Sequence, residues 1–258
     1  MRKQFLIKFA AALCCGALAA GSLSACERKQ VALDNEQIIN FTEPAEGEEI
    51  CVMTVRDYGT MKIRFFPEET SKGVENFKEL VKKGFYDELI FHRVIDQFMI
   101  QGGDPKGNGT GGEDAWGSKN GFAQTISTKL KHVPGALAYA IGSDKLNKSQ
   151  FYIVTGRLCD KVYMDRLTAN GYSFSPYVSS VYEQFGGSPH LDGGYEVFGQ
   201  VFDGLDVALN IQKTEVDGND KPKKSVVIEK AELVSYDGSG AHWLNYKGEE
   251  QSGIKAKG

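Results

Sequence analysis

The sequence has little of what metal, redox and nucleic-acid chemistry require. Its four histidines show no close ligand spacing and its five cysteines include no Cys-x-x-Cys pair, so neither a metal centre nor a redox site is supported. Lys and Arg number 30 against 34 Asp and Glu, for a net charge of −4, whereas a nucleic-acid partner favours a basic face. We therefore expect no metal, no cofactor and no nucleic-acid partner.

A dinucleotide-like glycine pattern does not change this expectation. Gly107, Gly109 and Gly112 match the spacing of a phosphate-binding loop, but the required strand-helix-strand context is missing. The acidic pair Glu113-Asp114 directly after them would repel a phosphate. A Ser-His-Asp hydrolase is not supported either, because the sequence contains no nucleophile elbow.

The apolar run from Phe9 to Ala20 is too short for a comfortable membrane span. Three basic residues precede it, Arg2, Lys3 and Lys8, and small residues ending in Leu-Ser-Ala-Cys at 23–26 follow, which is the three-part pattern of a secretion signal. The last four residues resemble the bacterial lipobox, so we expect a signal peptide at 1–25 and a lipid on Cys26. Cleavage without lipid is the alternative. The expected location is extracytoplasmic, on the bacterial cell membrane.

Only Cys51 and Cys159 lie beyond the predicted anchor. Cys51 stands in the apolar stretch 50–55 and is most simply a small buried hydrophobic residue. A disulfide between the two would be compatible with an extracytoplasmic location, but the sequence does not determine their distance. Both states therefore stay open.

One stretch, FHRVIDQFMIQGGDPKGNGTGG at residues 91–112, combines apolar, aromatic, cationic and amide side chains and then ends in a glycine-rich run. Its apolar residues predict two short strands joined near Asp96-Gln97. Arg93 is costly among so many apolar neighbours unless it has a function or a partner. His92 is adjacent to it in the same strand and points to the other face, so we interpret His92 as structural.

This stretch resembles the signature of the cyclophilins, the β-barrel peptidyl-prolyl isomerases. Three further segments follow in the order and type of that family: VPGALAYA at 133–140, KSQFYIVT at 148–155 and HLDGGYEVFGQV at 190–201. The resemblance covers residues 49–236, and four ordered motifs are far more specific than one. It implies an isomerase that acts on unfolded or proline-containing polypeptides.

The resemblance also implies a role for each of ten residues. Arg93 matches the catalytic arginine, which hydrogen-bonds the substrate carbonyl and the imide nitrogen, and Gln101 matches the amide that orients it. Eight others match substrate-binding positions: Phe98, Met99, Ala140, Gln150, Tyr152, His190, Leu191 and Tyr195. Four positions depart from the common family pattern: Ile141, Tyr152, His190 and Tyr195. The departures bear on affinity more than on the reaction.

The implied fold is mainly β: a closed eight-stranded antiparallel barrel capped by two α-helices, with an inserted helical segment at 157–189. The first helix should begin at Thr70 or Ser71 and end near Gly84, and the second should contain Leu205, Leu209 and Ile211. We place the isomerase domain at 48–236, a lipid-anchored tether at 26–47 and a mobile tail at 237–258, in which Trp243-Leu244 could dock.

These expectations favour an isomerase that assists the folding of exported proteins. The rival interpretation is a binding module or holdase chaperone, in which the same barrel grips proline-containing segments with little turnover. The insertion at 157–189 begins and ends next to expected pocket residues, so it either widens the surface for client chains or serves only as scaffold.

Overall fold

The computed structural model describes residues 37–251. The predicted signal peptide, the predicted lipidation site Cys26 and the tether up to residue 36 lie outside the described residues. None of the helices between residues 37 and 251 is long and apolar enough to cross a membrane.

Ten strands and four α-helices make up the described part. The strands are β1 Glu49–Val55, β2 Gly59–Phe65, β3 Arg93–Ile95, β4 Met99–Gly102, β5 Phe122–Ala123, β6 Ala136–Tyr139, β7 Leu146–Asn147, β8 Phe151–Val154, β9 Val197–Asp203 and β10 Ile228–Ser235. The helices are α1 Pro67–Lys82, α2 Lys161–Ala169, α3 Pro176–Phe185 and α4 Leu205–Ile211, with one 3₁₀ turn at Pro189–Leu191. Of the four helices, α2 and α3 form the inserted segment.

Eight strands form one curled antiparallel sheet in the order β10-β1-β2-β9-β6-β8-β4-β3. The expected closure into a complete barrel is wrong, because no ladder joins the edge strands β3 and β10 in the described residues. β3 has only three residues, and the chain before it is irregular, with Glu88 at a φ of 64°. Isolated backbone hydrogen bonds, such as that from Phe91 N–H to the Val226 carbonyl at 2.9 Å, span the opening instead.

The concave face of the sheet encloses the larger hydrophobic cluster, which we call the inner core. Alternate residues of β1 and β2 point into it, as period-two strands require: Cys51, Met53, Val55, Met61, Ile63 and Phe65. α1 covers it with Val74, Phe77, Leu80 and Val81. Phe77 is fully buried, and its ring contacts the rings of Phe65, Tyr86, Phe151 and Phe198.

α1 begins one turn earlier than the sequence predicted. Pro67 occupies its first turn, where the missing N–H of proline costs no hydrogen bond. Thr70, one of the two predicted caps, has non-helical angles (φ −139°, ψ 52°) and marks a kink within the helix. Its hydroxyl donates to the Phe66 carbonyl at 3.2 Å.

A second hydrophobic cluster, the outer core, covers the other face of the sheet around β1, β9 and β10. The arm at 37–41, the inserted helices α2 and α3, and the segment at 236–243 all contribute to it. Its buried members are Ile38, Phe41, Ile50, Val133, Cys159, Met164, Leu167, Val178, Val181, Tyr182, Phe185, Phe202, Tyr236 and Trp243.

The outer core shows that the predicted limits of the folded part, 48 and 236, are too narrow. Asn40, assigned to the tether, is fully buried, and its side chain donates to the Gln200 side chain at 2.9 Å. Trp243, assigned to the tail, is 8% exposed and packs edge-on against Phe41 with ring centroids 5.4 Å apart. Packing therefore begins at Ile38 and continues beyond Trp243.

The two cysteines that the sequence left open are both free and buried. Cys51 belongs to the inner core and Cys159 to the outer core. Burial raises the pKa of each thiol to about 12, so the reactive thiolate is scarce at neutral pH. Both side chains act as small hydrophobic groups.

Candidate active site

A pocket of about 680 Å³ collects eight of the ten residues that the sequence predicted. It lies against β4, β6 and β8, on the face turned away from the inner core, because Tyr152 alternates with the inward-facing Phe151 and Ile153. The eight are Arg93, Phe98, Met99, Gln101, Ala140, Tyr152, Leu191 and Tyr195. Seven other residues complete the lining: His92, Asn108, Gly109, Ile141, Asp217, Asn219 and Lys221.

Strand register brings the chemically important side chains into one row. β3 and β4 form a hairpin whose turn at Asp96-Gln97 matches the sequence prediction, with Gln97 at a φ of 56°. Arg93 lies opposite Gln101 in this hairpin, and Gln101 lies opposite Tyr152 on β8. The row therefore crosses three neighbouring strands.

Arg93 stands at the edge of the pocket with 42% of its side chain exposed. Its Nε lies 3.5 Å from Oδ2 of Asp220, which belongs to the turn between α4 and β10. Sequence reasoning did not identify the Asp220 carboxylate as a partner of Arg93. A guanidinium has five N–H donors, so the ion pair leaves most of them available to a bound molecule.

Gln101 makes a different contact from the one that the family resemblance implied. In the described contacts its Nε2 donates to Oε1 of Gln150 at 3.0 Å and not to Arg93. Gln150 in turn donates to the carbonyls of Gly109 and Gly111 at 3.1 and 2.8 Å. Gln150 therefore lines an adjoining pocket of about 200 Å³ and not the main one.

The loop after β4 is held in place by Asp104, whose carboxylate accepts three backbone N–H bonds from residues 106–109. Burial raises the pKa of Asp104, but the backbone hydrogen bonds outweigh burial and lower it overall. A Cβ at Gly111 would lie 2.1 Å from Oδ1 of Asp104, so this position requires glycine. The loop thereby presents its carbonyls to Gln150.

His92 lines the pocket, although the sequence argument treated it as facing away from Arg93. Its side chain is 5% exposed, and neither ring nitrogen has a hydrogen-bond partner in the structure. Burial lowers the pKa of His92. A neutral imidazole therefore lies beside the charged guanidinium and adds no competing charge.

Phe98, Met99, Tyr152 and Leu191 form the apolar wall of the pocket. Met99 and Tyr152 are 2% and 5% exposed, so they are held firmly by their neighbours. Tyr195 completes the wall, with its ring edge-on to that of Tyr152 at 6.1 Å. The result is an apolar recess directly beside a strong hydrogen-bond donor.

His190 lies outside this recess, behind Phe98. The two rings stack with centroids 5.7 Å apart, and Nδ1 of His190 lies 3.2 Å from the Tyr163 hydroxyl of α2. His190 lines a separate pocket of about 440 Å³ together with Arg157 and Tyr163. Burial lowers the pKa of His190. The structure therefore does not bring His190 into the main pocket.

Sequence reasoning missed a buried hydrogen-bonded network behind Tyr152. The Tyr152 hydroxyl lies 3.0 Å from Nε2 of His132, and Nδ1 of His132 lies 2.8 Å from Oδ1 of Asp192. The hydroxyl of Tyr182 on α3 donates to Oδ2 of Asp192 at 2.7 Å. The unusual tyrosine at 152 was the one signal in the sequence that pointed to such a network, because a buried hydroxyl requires a partner.

No group of three or more His, Cys, Asp or Glu side chains between residues 37 and 251 is arranged to hold a metal ion.

Comparison with known proteins agrees with this geometry. Residues 50–233 match the family model described as cyclophilin type peptidyl-prolyl cis-trans isomerase/CLD. A Staphylococcus aureus (strain COL) protein named "Putative peptidyl-prolyl cis-trans isomerase" is 40% identical over 191 residues, which cover 74% of this chain and 94% of that protein. A cyclophilin from Cryptosporidium parvum, solved in the presence of the dipeptide Ala-Pro, aligns with a TM-score of 0.57 at 28% identity, over 72% of this chain and 99% of the other.

A longer relative carries an additional activity in its name. The Streptococcus pyogenes serotype M6 protein named "Putative bifunctional phosphatase/peptidyl-prolyl cis-trans isomerase" is 37% identical over 189 residues. The match covers 72% of this chain and 39% of that relative, so this chain spans well under half of its length. The present chain belongs to the cyclophilin-type peptidyl-prolyl cis-trans isomerase family.

Proposed function

We propose that this protein isomerises X-Pro bonds in exported polypeptides while they fold at the outer face of the bacterial membrane. The observation that carries the proposal is the apolar recess of Phe98, Met99, Tyr152 and Leu191 beside the half-exposed guanidinium of Arg93. The Ala-Pro dipeptide named with the Cryptosporidium structure supports proline-containing chains as substrates.

The reaction needs no acid, base or nucleophile. Rotation about the X-Pro bond meets a barrier of about 18–20 kcal/mol, because the amide must give up its resonance. A recess that holds the proline ring and a donor that favours the twisted amide both lower this barrier. Phe98, Met99, Tyr152 and Leu191 supply the recess in our proposal, and Arg93 supplies the donor.

The remaining predicted residues take supporting roles. Gln101 and Gln150 form one hydrogen-bonded pair, 3.0 Å apart, at the junction of the main pocket and the adjoining pocket. Ala140 lines both pockets, so an extended substrate backbone would pass over it. We assign the orientation of Arg93 to Asp220 and to its strand position opposite Gln101.

A peptide assay tests the activity directly. The mature chain, at a concentration far below that of an Ala-Pro peptide, should accelerate cis-trans exchange, measured by coupling to a protease that cleaves only the trans form. A holdase would bind the peptide without accelerating exchange. Absence of turnover by protein that is folded by circular dichroism would refute the isomerase proposal.

The location is tested separately at Cys26. The motif at 23–26 motivates the proposal that Cys26 carries lipid, and stable attachment requires more than one acyl chain. Cys26→Ser should release the protein from the membrane fraction. An unmodified Cys26 in the mature protein, seen by mass spectrometry, would refute the anchor.

A further inference from the structure

The network behind Tyr152 engages both ring nitrogens of His132. Nδ1 lies 2.8 Å from Oδ1 of Asp192, and Nε2 lies 3.0 Å from the Tyr152 hydroxyl. His132 does not line the main pocket, so the Tyr152 hydroxyl has its partner on the side away from the pocket, and this hydrogen bond holds the Tyr152 ring in the wall.

The inserted segment supplies the far end of this network. Tyr182 of α3 is fully buried, and its hydroxyl donates to Oδ2 of Asp192 at 2.7 Å while accepting the His132 backbone N–H at 3.1 Å. Ser188, at the end of the insertion, donates its backbone N–H to the His132 carbonyl at 2.8 Å. His132 is thus held at its main chain and at its ring by groups on or next to the insertion.

Because the network is buried, the loss of one of its hydrogen bonds is costly. Tyr152 and His132 are 5% and 1% exposed, so water cannot replace a lost partner. An unpaired buried hydroxyl is strongly disfavoured and turns toward any accessible acceptor or solvent. The accessible space beside Tyr152 is the pocket, so loss of the network would move the ring into the site of the proline.

We propose that Tyr182, Asp192 and His132 are positioning residues that fix the ring of Tyr152, so that the insertion sets the shape of the substrate recess. The proposal rests on the isomerase activity proposed above. None of the three lines the main pocket, so each acts through Tyr152. The insertion is then a support of the recess in addition to a cover for the outer core.

A double-mutant cycle tests this coupling. Tyr182→Phe removes one hydroxyl on α3, and Tyr152→Phe removes the hydroxyl that the network holds. Tyr182→Phe alone should raise KM for an Ala-Pro peptide by about threefold to tenfold with kcat nearly unchanged, because a displaced wall weakens ground-state and transition-state binding equally. In the Tyr152→Phe background the same change should leave KM unaltered, because the ring no longer depends on the network.

The other outcomes overturn the proposal. Equal effects of Tyr182→Phe in both backgrounds would mean a general structural role, and no effect in the parent would mean no coupling. Tyr177→Phe is the matched control, because it removes a hydroxyl from the same helix outside the network and should leave KM unchanged. Asp192→Asn replaces Tyr182→Phe in the cycle if the latter fails to fold. A parent without turnover would refute the proposed function instead.

Discussion

The inner and outer cores contain equally buried aromatic side chains but are assembled from different kinds of segment. The inner core comes mainly from the regular strands of the sheet and from the helices α1 and α4 that pack against them. The outer core joins three stretches far apart in the chain: the arm at 37–41, the insertion at 157–189 and the segment at 236–243. The inner core is therefore complete within the family-matched region, whereas the outer core also needs the segments flanking it.

The contrast between the two cores is tested most directly by the free energy of unfolding of one variant in each core. Phe77→Ala should lower the free energy of unfolding by about 3–5 kcal/mol, because a fully buried ring surrounded by four others leaves a cavity. Trp243→Ala, its counterpart at the rim of the outer core, should cost about 2–3 kcal/mol. Urea unfolding measures both. A larger loss at Trp243 would mean that the outer core dominates stability.

Arg93→Ala should lower catalytic activity without lowering the stability that the two cores provide. We expect kcat/KM for a proline peptide to fall by about 100- to 1000-fold, the scale of losing one preorganised donor. The free energy of unfolding should change by less than about 1 kcal/mol, because the ion pair with Asp220 is half exposed. Peptide turnover and urea unfolding of the same preparation give both values.

Arg56→Ala is the matched control for Arg93→Ala, because Arg56 also pairs with one exposed carboxylate, that of Glu88. It should leave turnover unchanged. If both variants lose activity equally, or if neither does, the assignment of Arg93 to the chemistry is wrong.

A buried acid, Glu196, should make the stability of the fold depend on pH. Glu196 precedes β9, and its Oε2 accepts from Thr125 N–H and the Asn147 amide at 2.7 and 2.6 Å, while Oε1 is buried without a partner in the structure. Burial raises its pKa from the ordinary 4.5 to about 7. Between these values the unfolded chain has released the proton and the folded chain still holds it, so stability should fall as pH rises, by up to about 1 kcal/mol per unit.

Glu196→Gln should remove this slope. The difference in unfolding free energy between parent and variant, measured by urea at pH 4.5 and pH 8, isolates the contribution of Glu196 from that of other groups. The parent should lose stability relative to the variant at pH 8. If the difference in unfolding free energy is the same at pH 4.5 and pH 8, folding does not raise the pKa of Glu196 within this range.

The smallest effect on the free energy of unfolding is expected for an exposed ion pair on α2. Lys161 and Asp165 form an ion pair of 2.7 Å on α2, with side chains 79% and 64% exposed. Exposed pairs of this kind contribute little, because water screens them. Asp165→Ala should change the free energy of unfolding by less than about 0.5 kcal/mol, and a loss above 1 kcal/mol would show that α2 depends on its surface charges.

The contrast between the cores also explains what could be predicted from the sequence. The apolar stretch at 50–55 predicted that Cys51 is buried, and the ordered motifs predicted the strand hairpin and most of the pocket residues. Trp243 was expected only to be able to dock, without a named partner, and Phe41 gave no signal, because a lone aromatic residue in a polar stretch does not reveal a partner far away in sequence. The closed barrel was wrong because three-residue β3 does not pair with β10.

The site followed the same pattern. Arg93 and Gln101 lie opposite each other on β3 and β4, Gln101 lies opposite Tyr152 on β8, and the structure places all three in one pocket with the rest of the apolar wall. His190 lies outside this pocket, because the 3₁₀ turn at 189–191 places it behind Phe98. His132 and Asp192 are 60 residues apart in sequence, and Tyr182 of the insertion contacts both, so no local motif indicated their pairing.

If Cys26 is acylated as proposed, the docking of the arm at Ile38 limits how far the protein can reach from the bilayer. Ile38, the first packed side chain, lies only 12 positions after Cys26, and a fully extended chain over 12 positions spans about 40 Å. The predicted tether to residue 47 would have allowed about 70 Å. With such an anchor, the flexible connection would be shorter than the predicted tether, and the proposed substrate recess would stay within a thin layer next to the membrane.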